Sequence, residues 1–465
     1  MSRIEVILAG IVAALIIAVG VVAAFAVAGG GGSSGGGQET EGPDLGPRAA
    51  SELRLPGGDP QTLDPALAGD ATSAEYIVHI FGGLVTLDQN LRVVPDLAEE
   101  LPTRENGGIS EDGRTYTFRL RSDAVFHNSN RRVTADDVKY SLERAAREPE
   151  SPTAYNYLGD IVGVVDVIQG RATEISGIRV LDERTIQITI DAPKPYFLEK
   201  LTYPTAFVVD RQQIESDPRG WLRRPNGTGP YRLVEWDLGQ KLVLEANDRY
   251  HLGAPQVRRV TYVLTGSFTT MYEAGDLDMT GVPADFMERV QDPNDPLSRE
   301  YVSGDELSVT YVAFNVAQPP FDDPKVRQAF AMSIDKERIA EVVLHGALAP
   351  AKGILPPGMP GYSESFRGLP YDPERAKQLL SESRYAGNFP RVVLTVPGAG
   401  TAPAESVEAM VNQWNQTLGI QVEIQQVEQT TFFRDLHRRR FQMFVSGWIA
   451  DYVDPESFLK IKFHS

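Results

Sequence analysis

The chain contains no cysteine. That absence excludes disulfides, thiolate metal sites, cysteine nucleophiles and tethering through a lipidated cysteine. Histidine is scarce. The six are His79, His127, His251, His345, His437 and His464, and no two stand at the H-x-x-x-H spacing of a zinc site. No Walker A loop is present. Gly227-Thr228-Gly229 is too short for a dinucleotide fingerprint, and Pro230 follows where a helix should open. Positive charge is also in deficit. There are 63 acids against 45 Lys and Arg, a formal net charge of −18. Such a surface repels phosphate backbones, so no nucleic-acid partner is expected. Neither a metal nor a cofactor is expected, and no catalytic residue can be assigned. Asp451 and Asp454 have the residue types of a glycosidase pair, but spacing alone does not support that role.

What is present begins at the N-terminus. Residues 6–28, "VILAGIVAALIIAVGVVAAFAVA", carry no charged side chain. As a helix the run spans roughly 34 Å at about 1.5 Å per residue. That is enough to cross a hydrocarbon core of about 30 Å. Two readings stand: a transmembrane anchor, or a signal peptide cleaved after Ala28, since Ala26-Val27-Ala28 fits the small-x-small pattern. The anchor is favoured by the length of the run. Either sends the rest of the chain outside the membrane. Residues 29–50 follow as a Gly/Ser-rich linker, whose "GGSSG" matches a nucleophile elbow only through low complexity.

The 465 residues suggest two or three domains. Alternation with a period of two predicts strands at 52–56, 116–121, 184–190, 241–246 and 258–264. Residues 134–147, "TADDVKYSLERAAR", read as a helix capped by Thr134, with Val138, Leu142 and Ala145 on its apolar face. A second helical stretch, 323–346, opens on Asp323-Pro324, breaks near Asp335 and ends at Gly346. A third spans 404–419 and is followed by a strand at 420–427. The alternation of strands and helices indicates an α/β architecture.

Five blocks then carry a resemblance. They are "TLDPALAGDATSAEYIVHIFGGLVTLD" (62–88), "VPDLAEELP" with "DGRTYTFRLRSDAVFHNSNRRVTADDVKYSLER", "GTGPYRLVEW" with "ANDRYHLGAPQVRRVTY", "VAFNVAQPPFDDPKVRQAFAMSIDKERI" (312–339) and "GWIADYVDPESF" (447–458). In this order they resemble the extracytoplasmic solute-binding proteins of family 5, the dipeptide- and oligopeptide-binding receptors of ABC importers. The resemblance implies a two-lobed periplasmic-binding-protein-like fold of type II with an extra domain, preceded here by the N-terminal helix. The first lobe would comprise residues 51–87 and 178–270, the extra domain 88–177, and the second lobe 271–465. Family members continue beyond the last block, so the second lobe is expected to be incomplete at its C-terminal end.

The resemblance also implies a site. Asp451 would pair with the terminal ammonium of a peptide held between the lobes. Gly447 and Trp448 would offer backbone groups to an extended ligand. Ala71, Thr72 and Ser73 match the cleft-facing segment of the first lobe, and Asn315 lies near a hinge crossing. Gln429 stands where many peptide binders place a tryptophan. Asp454-Pro455 is expected to shape the following turn. The implied protein is a monomeric extracytoplasmic receptor, not an enzyme, with a peptide or similar small solute as ligand and an ABC permease as partner. Nickel chelates, oligosaccharides and opines are the other solute classes of the family. A glycan hydrolase using Asp451 and a second acid, and a ligand-binding sensory protein, are the competing classes.

Overall fold

A computed structural model describes residues 43, 45–49, 51–398 and 403–463. The membrane helix expected over 6–28 and most of the linker lie outside the described residues. Among the described residues no helix is long and apolar enough to cross a membrane. The described chain divides into two compact units. The first runs to Thr280 and includes Asp451–Val453; the second holds Gly281–Ala450 and the residues from Asp454 onward.

The first unit opens with β1 (Glu52–Pro56) and α1 (Ala71–Ile80), then the short pair β2 (Val85–Leu87) and β3 (Val93–Pro95). Next come β4 (Thr115–Arg119), α2 (Ala135–Arg147), α3 (Ala154–Leu158), β5 (Ile178–Asp182) and β6 (Thr185–Thr189). β7 (Tyr231–Asp237), β8 (Lys241–Ala246) and β9 (Arg259–Val263) complete it. One sheet has the order β1-β9-β8-β7, with β1 parallel to β9 and the others antiparallel. Its core joins Leu55, Leu233, Leu242, Leu244 and Tyr262 to Tyr76, Ile77 and Ile80 of α1. A second, antiparallel sheet has the order β4-β6-β5. It packs Phe118, Ile186 and Ile188 against Val138 and Leu142 of α2. β5 and β6 lie at 178–189, just past the 88–177 segment expected for the extra domain. β4 bridges Ile109 on one side, and its neighbour in the sheet is β6 among those later residues.

α2 forms where local chemistry places it. Thr134 and Asp137 make a reciprocal capping box, and Arg144 and Arg147 occupy the last turn. Arg131 grips Asp137 through two bonds of 2.8 Å and Asp210 through one of 2.7 Å. Arg144 makes a two-pronged contact with buried Asp64, at 2.7 and 2.5 Å. The Asp64-Pro65 turn is thereby fixed to α2.

The second unit contains β10 (Ser308–Phe314), α4 (Pro324–Met332), α5 (Pro373–Ser381), β11 (Val392–Pro397) and α6 (Glu405–Leu418). β12 (Val422–Val427), α7 (Gln429–His437), β13 (Met443–Ile449) and α8 (Glu456–Phe463) follow. Its sheet has the order β10-β13-β11-β12. Fully buried Phe321 and Phe330 pack with Trp414, Val392 and Leu394 in the core. Burying each such side chain contributes roughly 1.5–3 kcal/mol. Asp323 caps α4 with Pro324 in the first turn, and the helix stops at Ser333. Asp335 caps the short turn that follows, and Gly346 closes the stretch at φ +76°. α6 ends on Gly419 at φ +66°.

Candidate functional site

β13 is the strand from which the candidate site is built. It pairs with β10 along its whole length, from Met443↔Phe314 to Ile449↔Ser308. With β11 it pairs only at Met443 and Phe444. From Val445 onward, the edge of β13 that faces away from β10 is therefore not used by β11. Gly447 lies on this stretch and is exposed. A side chain added at Gly447 would meet nothing nearer than the Val309 carbonyl oxygen at 3.8 Å. Trp448 follows, half-buried. Its indole N–H donates to the Ser457 carbonyl (2.9 Å), and the Lys462 ammonium sits 3.5 Å from its ring centroid. The tryptophan thus ties α8 to β13. Asp454 starts α8: its carboxylate accepts from the Glu456 N–H at 2.8 Å, and its carbonyl accepts from Ser457 at 3.0 Å. That is the turn-shaping role expected of Asp454-Pro455.

Asp451 groups with the first unit. Its carboxylate accepts a hydrogen bond from the Tyr157 hydroxyl on α3. The Tyr157 ring is stacked on Tyr203, with centroids 3.8 Å apart and planes 13° from parallel. Tyr452 meets Tyr157 edge-on at 6.4 Å. α3 is fixed from behind by Thr153, whose hydroxyl bonds Thr205 at 2.5 Å and the Ala68 carbonyl at 3.2 Å. Burial, and then the charge of Asp451, push the Tyr157 and Tyr203 hydroxyls well above the usual phenol range. Both rings stay neutral donors at any working pH. Asp70 also raises Tyr203, by a smaller amount than burial and Asp451. Asp70 is the cap of α1, accepting from the Ser73 N–H at 2.9 Å, and burial raises its carboxyl.

The remaining sequence-predicted residues divide. Ala71, Thr72 and Ser73 form the first turn of α1, in the same unit as Asp451. Ser73 is committed to the chain: its hydroxyl accepts from the Gln61 and Thr62 N–H groups at 3.1 and 3.3 Å. Thr72 is buried with its methyl packed near Gly58, and Ala71 alone of the three is half-exposed. In the second unit, Asn315 is also committed. Its amide donates to the Arg439 and Phe441 carbonyls at 3.2 and 3.0 Å, and its oxygen accepts from Ala317 at 3.1 Å. Gln429 is the first residue of α7 and half-buried. A pocket of about 310 Å³ in the second unit is lined by Arg391, Thr395, Gln425, Arg440 and Gln442. It lies by the start of β13, away from Gly447, and contains none of the predicted residues.

Sequence reasoning missed Tyr157 and Tyr203, and passed over Tyr452 beside the acid it chose. The Tyr157–Asp451 bond joins residues 294 positions apart, so no local pattern announces it. Among the described residues, no group of three His, Asp or Glu could hold a metal ion.

Three comparisons bear on this geometry. The pattern of the bacterial extracellular solute-binding proteins, family 5 Middle, matches residues 92–465. The periplasmic oligopeptide-binding protein OppA of Escherichia coli K12 is 28% identical over 430 residues, covering 88% of this chain and 76% of that protein. The probable deoxycholate-binding periplasmic protein YgiS of the same strain is 28% identical over 415 residues, covering 86% of this chain and 76% of that protein. Among solved structures, the murein tripeptide binding protein MppA of Escherichia coli superposes with a TM-score of 0.79 at 28% identity, covering 88% of this chain and 81% of that one. The fold is therefore the mixed α/β fold of the periplasmic binding proteins. The chain belongs to the bacterial extracellular solute-binding proteins of family 5.

Proposed function

We propose that this chain is the extracytoplasmic receptor of an ABC importer, and that it takes peptides by their free amino terminus. The observation that carries the reading is the bond from Tyr157 to Asp451. A phenol that stays neutral fixes the orientation of a carboxylate and leaves its charge intact. That combination recognises an ammonium through charge-assisted hydrogen bonds. Within the second unit, the edge of β13 from Val445 is one to which an extended peptide can add through its main chain. Gly447 carries no side chain at the middle of that stretch. The names of OppA and MppA, an oligopeptide and a murein tripeptide binder, agree with this ligand class. Solute is bound and passed on unchanged, with no catalytic step. The apolar run at 6–28 serves it as a membrane anchor or as a cleaved signal peptide.

A second reading is a non-peptide solute. Two observations favour it: Gln429 at the head of α7, and the relative named for deoxycholate.

Thermal unfolding of the full chain against di- to hexapeptides tests the proposal. A ligand that binds only the folded state raises the midpoint by mass action. Peptides with a free amino group should raise it, and their N-acetylated forms should not. A deoxycholate shift with no peptide shift would establish the second reading instead.

A further inference from the structure

Helix α1 carries a carboxyl to which the fold gives no partner. Glu75 is 4% exposed, and neither of its side-chain oxygens has a hydrogen bond. It lies on the buried face of α1 with Thr72, Tyr76 and Ile77, against the sheet β1-β9-β8-β7. A charge placed there would be almost wholly desolvated.

The ionisable groups around it are few. Tyr76 on α1 and Tyr262 on β9 meet edge to face at 4.8 Å; burial first, and then Glu75 when ionised, push both hydroxyls up. His79 stands one turn further along α1, 5.9 Å from the Tyr231 ring of β7. Burial pulls its pKa down to about 4, so it is neutral and gives Glu75 no counter-charge. The Pro204–Ala206 turn packed against α1 has no ionisable side chain. Asp59, in the loop before α1, is a further acid acting on Tyr76. Burial is the cause of the raised Glu75 pKa, with no lysine or arginine offsetting it.

We propose that Glu75 is a proton-dependent lock between α1 and this sheet: protonated, it packs as a neutral side chain, and loss of the proton loosens the helix. Burial pushes the carboxyl up from its ordinary 4.5 to about 8, so the folded protein keeps the proton at neutral pH. The sign follows. Between about 4.5 and 8 the folded state holds a proton that the unfolded chain has released, so stability falls as pH rises through that interval. Above about 8 both states are ionised and the loss stops growing. Because α1 begins with Ala71–Ser73, the loosened helix is also the one that carries the candidate ligand-facing turn.

The test is denaturant unfolding of the ligand-free full chain and of Glu75→Gln, from pH 4 to pH 9. The amide keeps the shape and removes the titration. The folding equilibrium constant of the variant, divided by that of the native chain, should rise by up to about tenfold per pH unit above the ordinary carboxyl range and flatten near pH 8. Glu75→Met gives the same profile through an apolar side chain, and serves should the amide variant fail to fold. A ratio independent of pH for whichever variant folds would overturn the proposal, and so would one that changes only below pH 4.5. Omitting ligand keeps this outcome separate from whether the chain takes peptides.

Discussion

At the scale of single residues, the proposed site gives Asp451 and Tyr157 different tasks: Asp451 would supply charge, and Tyr157 its direction. Asp451→Asn keeps the shape and removes the charge. It should weaken a free-amino peptide by about 2–5 kcal/mol, roughly 30-fold or more, in isothermal titration. Tyr157→Phe keeps the stack on Tyr203 and loses only the hydroxyl. A hydrogen bond to a charged group contributes about 1.5–3 kcal/mol, so affinity should fall by roughly one to two orders of magnitude. The unfolding midpoint should change far less than in a Tyr157→Ala variant, which removes a buried ring from the stack. Tyr157 and Tyr203 were not readable from sequence because their partners are set by chain crossings. Trp448 was read as a backbone contact, and its indole adds a role no spacing could show, as the tie between β13 and α8.

At the scale of elements, two glycines set how closely the chain passes the end of α1. The Gly229 N–H donates to the Ile80 carbonyl at 2.9 Å. An added Cβ at Gly229 would lie 2.4 Å from the His79 carbonyl oxygen, and one at Gly227 would lie 2.0 Å from that of Ile80. The obstacles are backbone, so they yield only if α1 moves. Gly229→Ala should cost at least the 1–3 kcal/mol typical of overpacking, measured by urea unfolding. Thr134→Ala, which removes one half of the α2 capping box, should cost about 1 kcal/mol in the same assay. The contrast between these sites explains what the sequence made legible. The cap at Thr134, the break near Asp335 and the stop at Gly419 are written in neighbouring residues, and each stands where local chemistry puts it. Gly227-Thr228-Gly229 could be rejected as a nucleotide loop, but its purpose depends on a helix some 150 residues earlier in the chain. The commitment of Ser73 and Asn315 to the backbone was hidden for the same reason: each polar side chain is answered by groups that only the fold brings near.

At the scale of the whole molecule, the excess of 63 acids over 45 basic residues gives the protein a field that draws in cations. Exposed charges are screened over about 8 Å at physiological ionic strength. Association of a cationic peptide should therefore slow as salt is raised. Its dissociation from Asp451 should change much less, and stopped-flow binding at two ionic strengths separates the two. The most direct test of the central claim is a double cycle in isothermal titration. One peptide is measured with a free and with an acetylated amino terminus, on the native chain and on Asp451→Asn. If Asp451 reads the ammonium, acetylation costs affinity on the native chain and little on the variant, giving a coupling of about 2 kcal/mol or more. Equal losses on both proteins would contradict the account, because the amino terminus would then be recognised without Asp451.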